Sequence, residues 1–95
     1  MTRRLIRCLA AGKVQGVGYR WFACSKAREL HLSGAVRNLR TGEVEIWFQG
    51  DPVRVDAYLV QLRRGPAGAQ VANLEIIEPE ESADYPDPFT IMPTV

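Results

Sequence analysis

A chain of 95 residues, 46% hydrophobic and 24% charged, has the make-up of one small folded domain and not of a disordered segment. Its net charge of +1 offers no whole-surface attraction to nucleic acid or to an anionic membrane, and no apolar run nears the ~20 residues of a bilayer crossing. Two cysteines are too few for a disulfide framework, and an opening without signal-peptide character makes the cytoplasm the expected location.

Residues 5–11 read as the first strand. Arg4 to Leu9 do not alternate cleanly, which fits a central strand touched on both faces. The stretch Gly12-Lys13-Val14-Gln15-Gly16-Val17-Gly18-Tyr19-Arg20 follows. Its glycines let the backbone turn where a side chain would clash, and their spacing brings a row of N–H groups to the start of a helix. Arg20 adds a permanently charged fork suited to phosphate oxygens. Amides, a helix N-terminus and an arginine together form an anion cradle, so Gln15, Gly16, Val17, Gly18, Tyr19 and Arg20 are the candidate phosphate-binding residues. The common phosphate motifs do not fit. Val17 stands where a Walker A loop needs glycine, and Trp21 stands where the dinucleotide fingerprint needs its third. On the glycines alone, a plain strand-to-helix turn is the better explanation of the stretch; Gln15 and Arg20 bracketing them shift the balance modestly towards the cradle.

The first helix is predicted over about 20–31, with Tyr19, Ala23, Ala27 and Leu30 as its apolar stripe. Trp21 and Phe22 lie beside that stripe, and one of them is expected to cover the loop. His31 is expected to be exposed and without a role. Ser33-Gly34 ends the helix and opens a second strand over 35–39. Thr41-Gly42 marks a hairpin into the alternating segment 43–49, with Val44, Ile46 and Phe48 on one face. A three-residue turn with left-handed Gly42 is favoured, because it aligns Val36 with Ile46; a two-residue turn would bury Arg37 on the apolar face.

Asp51-Pro52 caps a second helix with the stripe Val55, Tyr58, Leu59 and Leu62, closed by Arg63-Arg64-Gly65-Pro66. Residues 71–77 read as a strand, the acidic 79–87 as an exposed loop, and 89–91 as an edge strand. Cys8 and Cys24 are expected to stay reduced. The order of elements predicts an α+β, ferredoxin-like split βαβ sandwich (βαββαβ) over residues 1–95. Its antiparallel sheet would carry two helices on one face, with the first and third strands central. That arrangement by itself implies no function.

The stretch 12–20 closely resembles the signature of the acylphosphatase family. The family's second signature, Gly-x-Val-x-Asn followed by Gly-x-Val-Glu, is matched by Gly34-Ala35-Val36-Arg37-Asn38 and Gly42-Glu43-Val44-Glu45. Ala27 and Leu30 match helix core positions, and Arg64-Gly65-Pro66 matches the end of the second helix, so the resemblance spans nearly the whole chain. Two positions depart from the pattern. Thr41 stands where Asp or Asn is usual, and the tail lacks the basic or aromatic residue that often follows the last strand.

The resemblance implies hydrolysis of the carboxyl–phosphate bond of acyl phosphates. It implies that Arg20 binds the phosphate, that Asn38 orients the attacking water, and that a phosphate oxygen takes the water's proton. The chemistry is compatible: a carboxylate is a weakly basic leaving group and needs no strong general acid, and the residues show no acid, base or metal cluster. No cofactor and no metal are expected. From the residues alone, stabilising the hairpin turn is the favoured role for Asn38. The expected partner is a small-molecule acyl phosphate, not nucleic acid or membrane, and the expected state is a monomer.

Two other readings stand beside this one. A non-catalytic module could bind a phosphorylated metabolite, or RNA on the open sheet face near Trp47, Arg7 and Arg37. A partner domain in a larger carbamoyl-transfer system is the other, though no appended zinc or transferase segment accompanies it.

Overall fold

Alternation along the strands decides which side of the sheet becomes the core. In β1 (Arg4–Lys13), Ile6, Cys8 and Ala10 are buried, while Arg7 and Leu9 point to the opposite face. The same parity buries Val36 in β2 (Ser33–Asn38) and Val44, Ile46 and Phe48 in β3 (Val44–Gly50). Helices α1 (Tyr19–Glu29) and α2 (Pro52–Arg64) cover this inner face, contributing Tyr19, Ala23 and Ala27, and Val55, Tyr58, Leu59 and Leu62. The structure is a computed structural model that describes residues 3–80 and 83–95. It is completed by β4 (Gln70–Ile77) and β5 (Thr90–Ile91).

The sheet order is β4-β1-β3-β2-β5, with the first and third strands inside, as the sequence predicts. Pairings β1–β3, β1–β4 and β2–β3 are antiparallel. The fifth strand departs from expectation: β5 runs parallel to β2, so the sheet is mixed. The cause is the path of the chain after β4. From one edge it crosses the outer face to the other edge and arrives in the direction of β2. The described part of the acidic segment, residues 83–87, is therefore a strap and not a freely exposed loop. Trp47 Nε1 donates to the Asp84 carbonyl at 2.8 Å, and the Gly34 amide donates to the Pro86 carbonyl at 2.8 Å. Glu81 and Ser82, part of the same predicted loop, lie outside the described residues.

The hairpin turn forms as expected. Leu39 donates to the Glu43 carbonyl at 2.8 Å, enclosing residues 40–42; Gly42 has φ 98°, and Val36 pairs with Ile46. Thr41, the departure from the family pattern, keeps the turn closed with its hydroxyl, which accepts from the Glu43 amide and donates to the Glu43 carboxylate. Helix α1 ends two residues earlier than its spacing predicts. His31 takes a left-handed φ of 55°, and the Leu32 amide turns back to the Ala27 carbonyl at 2.9 Å. Helix α2 opens as its sequence says, with the Asp51 carboxylate accepting from the Arg54 amide and Pro52 in the first turn.

Aromatic packing locks the layers together. Phe48 meets Tyr58 edge-on at 4.8 Å, Tyr58 meets Phe89 at 6.2 Å, and the Tyr58 hydroxyl donates to the Ala23 carbonyl. Each such burial is worth about 1.5–3 kcal/mol, against about 0–1 kcal/mol for an exposed ion pair such as Arg4–Asp56. The core, not the surface charge, holds the fold. Cys8 and Cys24 are both buried and unbridged, as expected. Burial pushes the Cys8 thiol from its ordinary 9.0 up to about 12, which keeps it protonated and inert.

Gly34 makes the closest backbone approach in the sheet. Its φ is 147°, and a Cβ there would run into the Trp47 carbonyl. Backbone strain of this kind is worth about 1–3 kcal/mol before the clash is added. Gly34→Ala is therefore expected to lower the melting temperature by at least about 4–8 °C. Differential scanning calorimetry would check this, and an unchanged melting temperature would contradict the close approach.

Candidate active site

The loop between β1 and α1 starts from Val14, which is buried in the core and fixes where the loop begins. Gly16 (φ 73°) and Gly18 (φ 78°, ψ 17°) then turn through the left-handed region. Gly18 is the N-cap of α1, a position that usually carries a side chain accepting from the helix's own first amides. Gly18 has none to offer, and the first turn holds no acidic residue. The first intrahelical bond is Phe22 N–H to the Gly18 carbonyl at 3.0 Å. The amides of Tyr19, Arg20 and Trp21 thus remain open at the positive end of the helix, the arrangement that binds anions.

Two side chains in this loop do work that the motif alone does not reveal. Tyr19 turns inward: its hydroxyl donates to the Leu62 carbonyl at 2.7 Å, and burial pushes its pKa well up, so it brings only its amide to the site. Gln15 Nε2 donates to both the Leu39 and Glu43 carbonyls at 2.9 Å. One side-chain amide therefore fastens the loop to the β2–β3 hairpin. That brings the loop beside Asn38, the last residue of β2.

A concavity of about 230 Å³ results, lined by Gln15, Gly16, Gly18, Tyr19, Arg20 and Asn38, with Val14, Trp21 and Ile91 in its wall. Of the predicted site residues, Val17 alone does not line it; its side chain packs against the core. Among the described residues no carboxylate pairs with Arg20, which lines the concavity.

Asn38 shares the inner-face parity of Val36 and pairs with Val44 at the rim of the core. Its backbone carbonyl accepts from the Val95 amide at 3.2 Å. Its side-chain Oδ1 is buried and has no hydrogen-bond partner within the protein. A buried acceptor in that state costs about 1–3 kcal/mol unless a donor reaches it. The turn-stabilising alternative loses ground here: the hairpin is closed by Leu39, Glu43 and Thr41, and Asn38 Oδ1 bonds to none of them.

Trp21, one of the two aromatics expected to cover the loop, walls the concavity instead and is 74% exposed. Phe22 leans on Tyr19 at 6.3 Å and lies beneath the Lys26 ammonium. Sequence reasoning missed Gln15's two bonds, though a side chain with two donors in a loop facing a hairpin is a natural bridge. It also missed the roles of Ile91 and Val95, whose positions follow from the parallel pairing of β5.

The outer face of the sheet is occupied. The Glu45 carboxylate, 2% exposed, lies between Arg7 Nε at 2.7 Å and Arg37 Nε at 2.6 Å, and Arg37 stacks over Trp47 at 5.0 Å. The basic and aromatic groups that an RNA-binding sheet would display are thus engaged with one another and with the strap. Among the described residues no three His, Cys, Asp or Glu side chains gather as a metal site would, and no helix is long and apolar enough to cross a membrane.

Comparison with known proteins shows the family and the fold. A family model described as acylphosphatase matches residues 6–91. A protein of Methylococcus capsulatus named acylphosphatase is 46% identical over 80 residues, which is 84% of this chain and 87% of that one. The crystal structure of acylphosphatase from Bacillus subtilis superposes with a TM-score of 0.82 at 26% identity, covering 96% and 99% of the two chains. Full-length HypF, solved in a phosphate- and nucleotide-bound form, matches with a TM-score of 0.80 and 26% identity over 99% of this chain but 13% of its own.

Proposed function

Because the chain belongs to the acylphosphatase family, hydrolases of acyl phosphates, we propose that it performs that hydrolysis by positioning and electrostatics, without a metal. The phosphoryl group sits in the loop, its oxygens accepting from the backbone amides between Gln15 and Tyr19 and from the Arg20 guanidinium. Asn38 Oδ1 accepts a hydrogen bond from one water and holds its lone pair in line with the phosphorus, opposite the carboxylate oxygen. The water oxygen bonds to phosphorus as the bond to the carboxylate breaks. A phosphoryl oxygen takes the water's proton, and carboxylate and inorganic phosphate leave.

The observation that carries this reading is the orphaned Asn38 Oδ1, which shares one concavity with an uncapped helix N-terminus and an unpaired Arg20. A water in that place satisfies the acceptor and faces the anion site. The binding-module reading has no comparable support, since Arg7 and Arg37 are held by Glu45.

Loss of acetyl phosphate, followed with the purified protein, tests the activity. We expect turnover, and we expect it to be unchanged by excess EDTA. Activity lost to the chelator and regained with a divalent ion would overturn the metal-free step, and absence of turnover would overturn the hydrolysis itself.

A further inference from the structure

We propose that Trp21 and Ile91 form a ledge that receives the acyl group, so that this site favours substrates with a flat or bulky apolar acyl moiety over small ones. The inference rests on the phosphate-cradle reading and extends it to the half of the substrate that the cradle does not touch. Once the phosphoryl group is held by the loop amides and Arg20, the acyl group must leave over the rim. Trp21 and Ile91 are that rim. Both also wall a second, larger groove of about 620 Å³ that runs along α1 past Ser25 and Arg28. Trp21, Ser25 and Arg28 recur at helical spacing, so the groove follows a single face of the helix. The two concavities therefore open onto one shared surface.

Exposure supports this assignment. Trp21 is 74% exposed and Ile91 38%, whereas the neighbouring Tyr19 is buried and half-buried Phe22 leans on it. An indole presents a wide flat face with little conformational freedom, well matched to stacking against a planar acyl group. The far side of the ledge is held in place. Ile91 is fixed by its pairing with Val36, and the Phe89 carbonyl accepts from Arg28 Nε at 2.9 Å, which secures the groove floor. An acetyl group would use almost none of this surface, whereas a benzoyl group would lie across it.

The test compares kcat/KM for benzoyl phosphate and acetyl phosphate in the wild-type enzyme, Trp21→Ala and Trp21→Phe, with inorganic phosphate inhibition measured alongside. Trp21→Ala is expected to lower the benzoyl-to-acetyl ratio about tenfold, in the range that apolar contacts contribute to discrimination, and Trp21→Phe to keep most of it. Phosphate inhibition should stay within about twofold across the series, since the helix amides remain. An unchanged ratio would overturn the ledge, and it is the result expected if the groove seats a protein segment or a second copy instead. An equal loss on both substrates with weakened phosphate inhibition would also overturn it, because Trp21 would then be serving the cradle. A wild-type enzyme that hydrolyses neither compound would remove the premise, an outcome distinct from the other two.

Discussion

Arg20→Ala is expected to lower kcat/KM for acetyl phosphate by about 10³–10⁵ and to raise KM as well. The magnitude follows from the two things lost together. A preorganised donor to a developing oxyanion is worth about 10²–10³ in rate, and an arginine placed on a transferring phosphoryl group reaches about 10³–10⁵. The geometry argues for the upper part of that range. Arg20 stands in the first turn of uncapped α1, and among the described residues no carboxylate shares its charge, so on the proposed mechanism that charge meets the phosphate. Because no ion pair among the described residues depends on it, the substitution should leave the melting temperature within about 2 °C. Arg20→Lys should recover no more than about tenfold, since an ammonium offers a point charge where two oxygens need a planar fork. Steady-state kinetics with thermal melts separate these outcomes. Activity within tenfold of wild type in Arg20→Ala would place the phosphate elsewhere.

The second large effect is expected at Asn38, and its signature is different. Asn38→Ala should reduce kcat by about 10²–10³ while inorganic phosphate binds nearly as before, because the residue acts on the water and not on the anion. The stability of the variant provides an independent reading. Asn38 Oδ1 is a buried acceptor with no partner in the protein, so removing it breaks no internal hydrogen bond. The variant should unfold at nearly the same denaturant concentration. A merely structural asparagine would behave in the opposite way, losing stability and leaving kcat near wild type. Urea titration and single-turnover hydrolysis on the same preparation distinguish the two.

Much of the fold was legible because it is locally determined. The cap at Asp51-Pro52, the alternation through Val44, Ile46 and Phe48, and the turn closed at Gly42 each state their structure within a few residues. The parallel β5 was not legible, because it depends on where the strap crosses. That path is set by the Trp47 indole and the Gly34 amide reaching carbonyls far away in sequence. The buried Glu45 escaped for a related reason: alternation marks it as pointing away from the core, yet nothing local says that this face is covered too. In the site, the glycines and Arg20 suggested an anion cradle from chemistry alone. Asn38 could be given a catalytic role only through resemblance, since the residues alone favour its turn-stabilising alternative. Its unsatisfied oxygen is a property of three-dimensional packing that a sequence does not display.

The two bonds from the Gln15 amide to the hairpin carbonyls have a reach beyond holding a loop in place. They tie the loop proposed to grip the anion to the strand end proposed to carry the water, so on that mechanism the alignment for in-line attack is governed partly from an exposed turn. A sequence change among residues 40–43 would therefore surface as altered turnover with binding intact. The solvent-facing tip of the hairpin thereby becomes a remote trimming point for the chemistry.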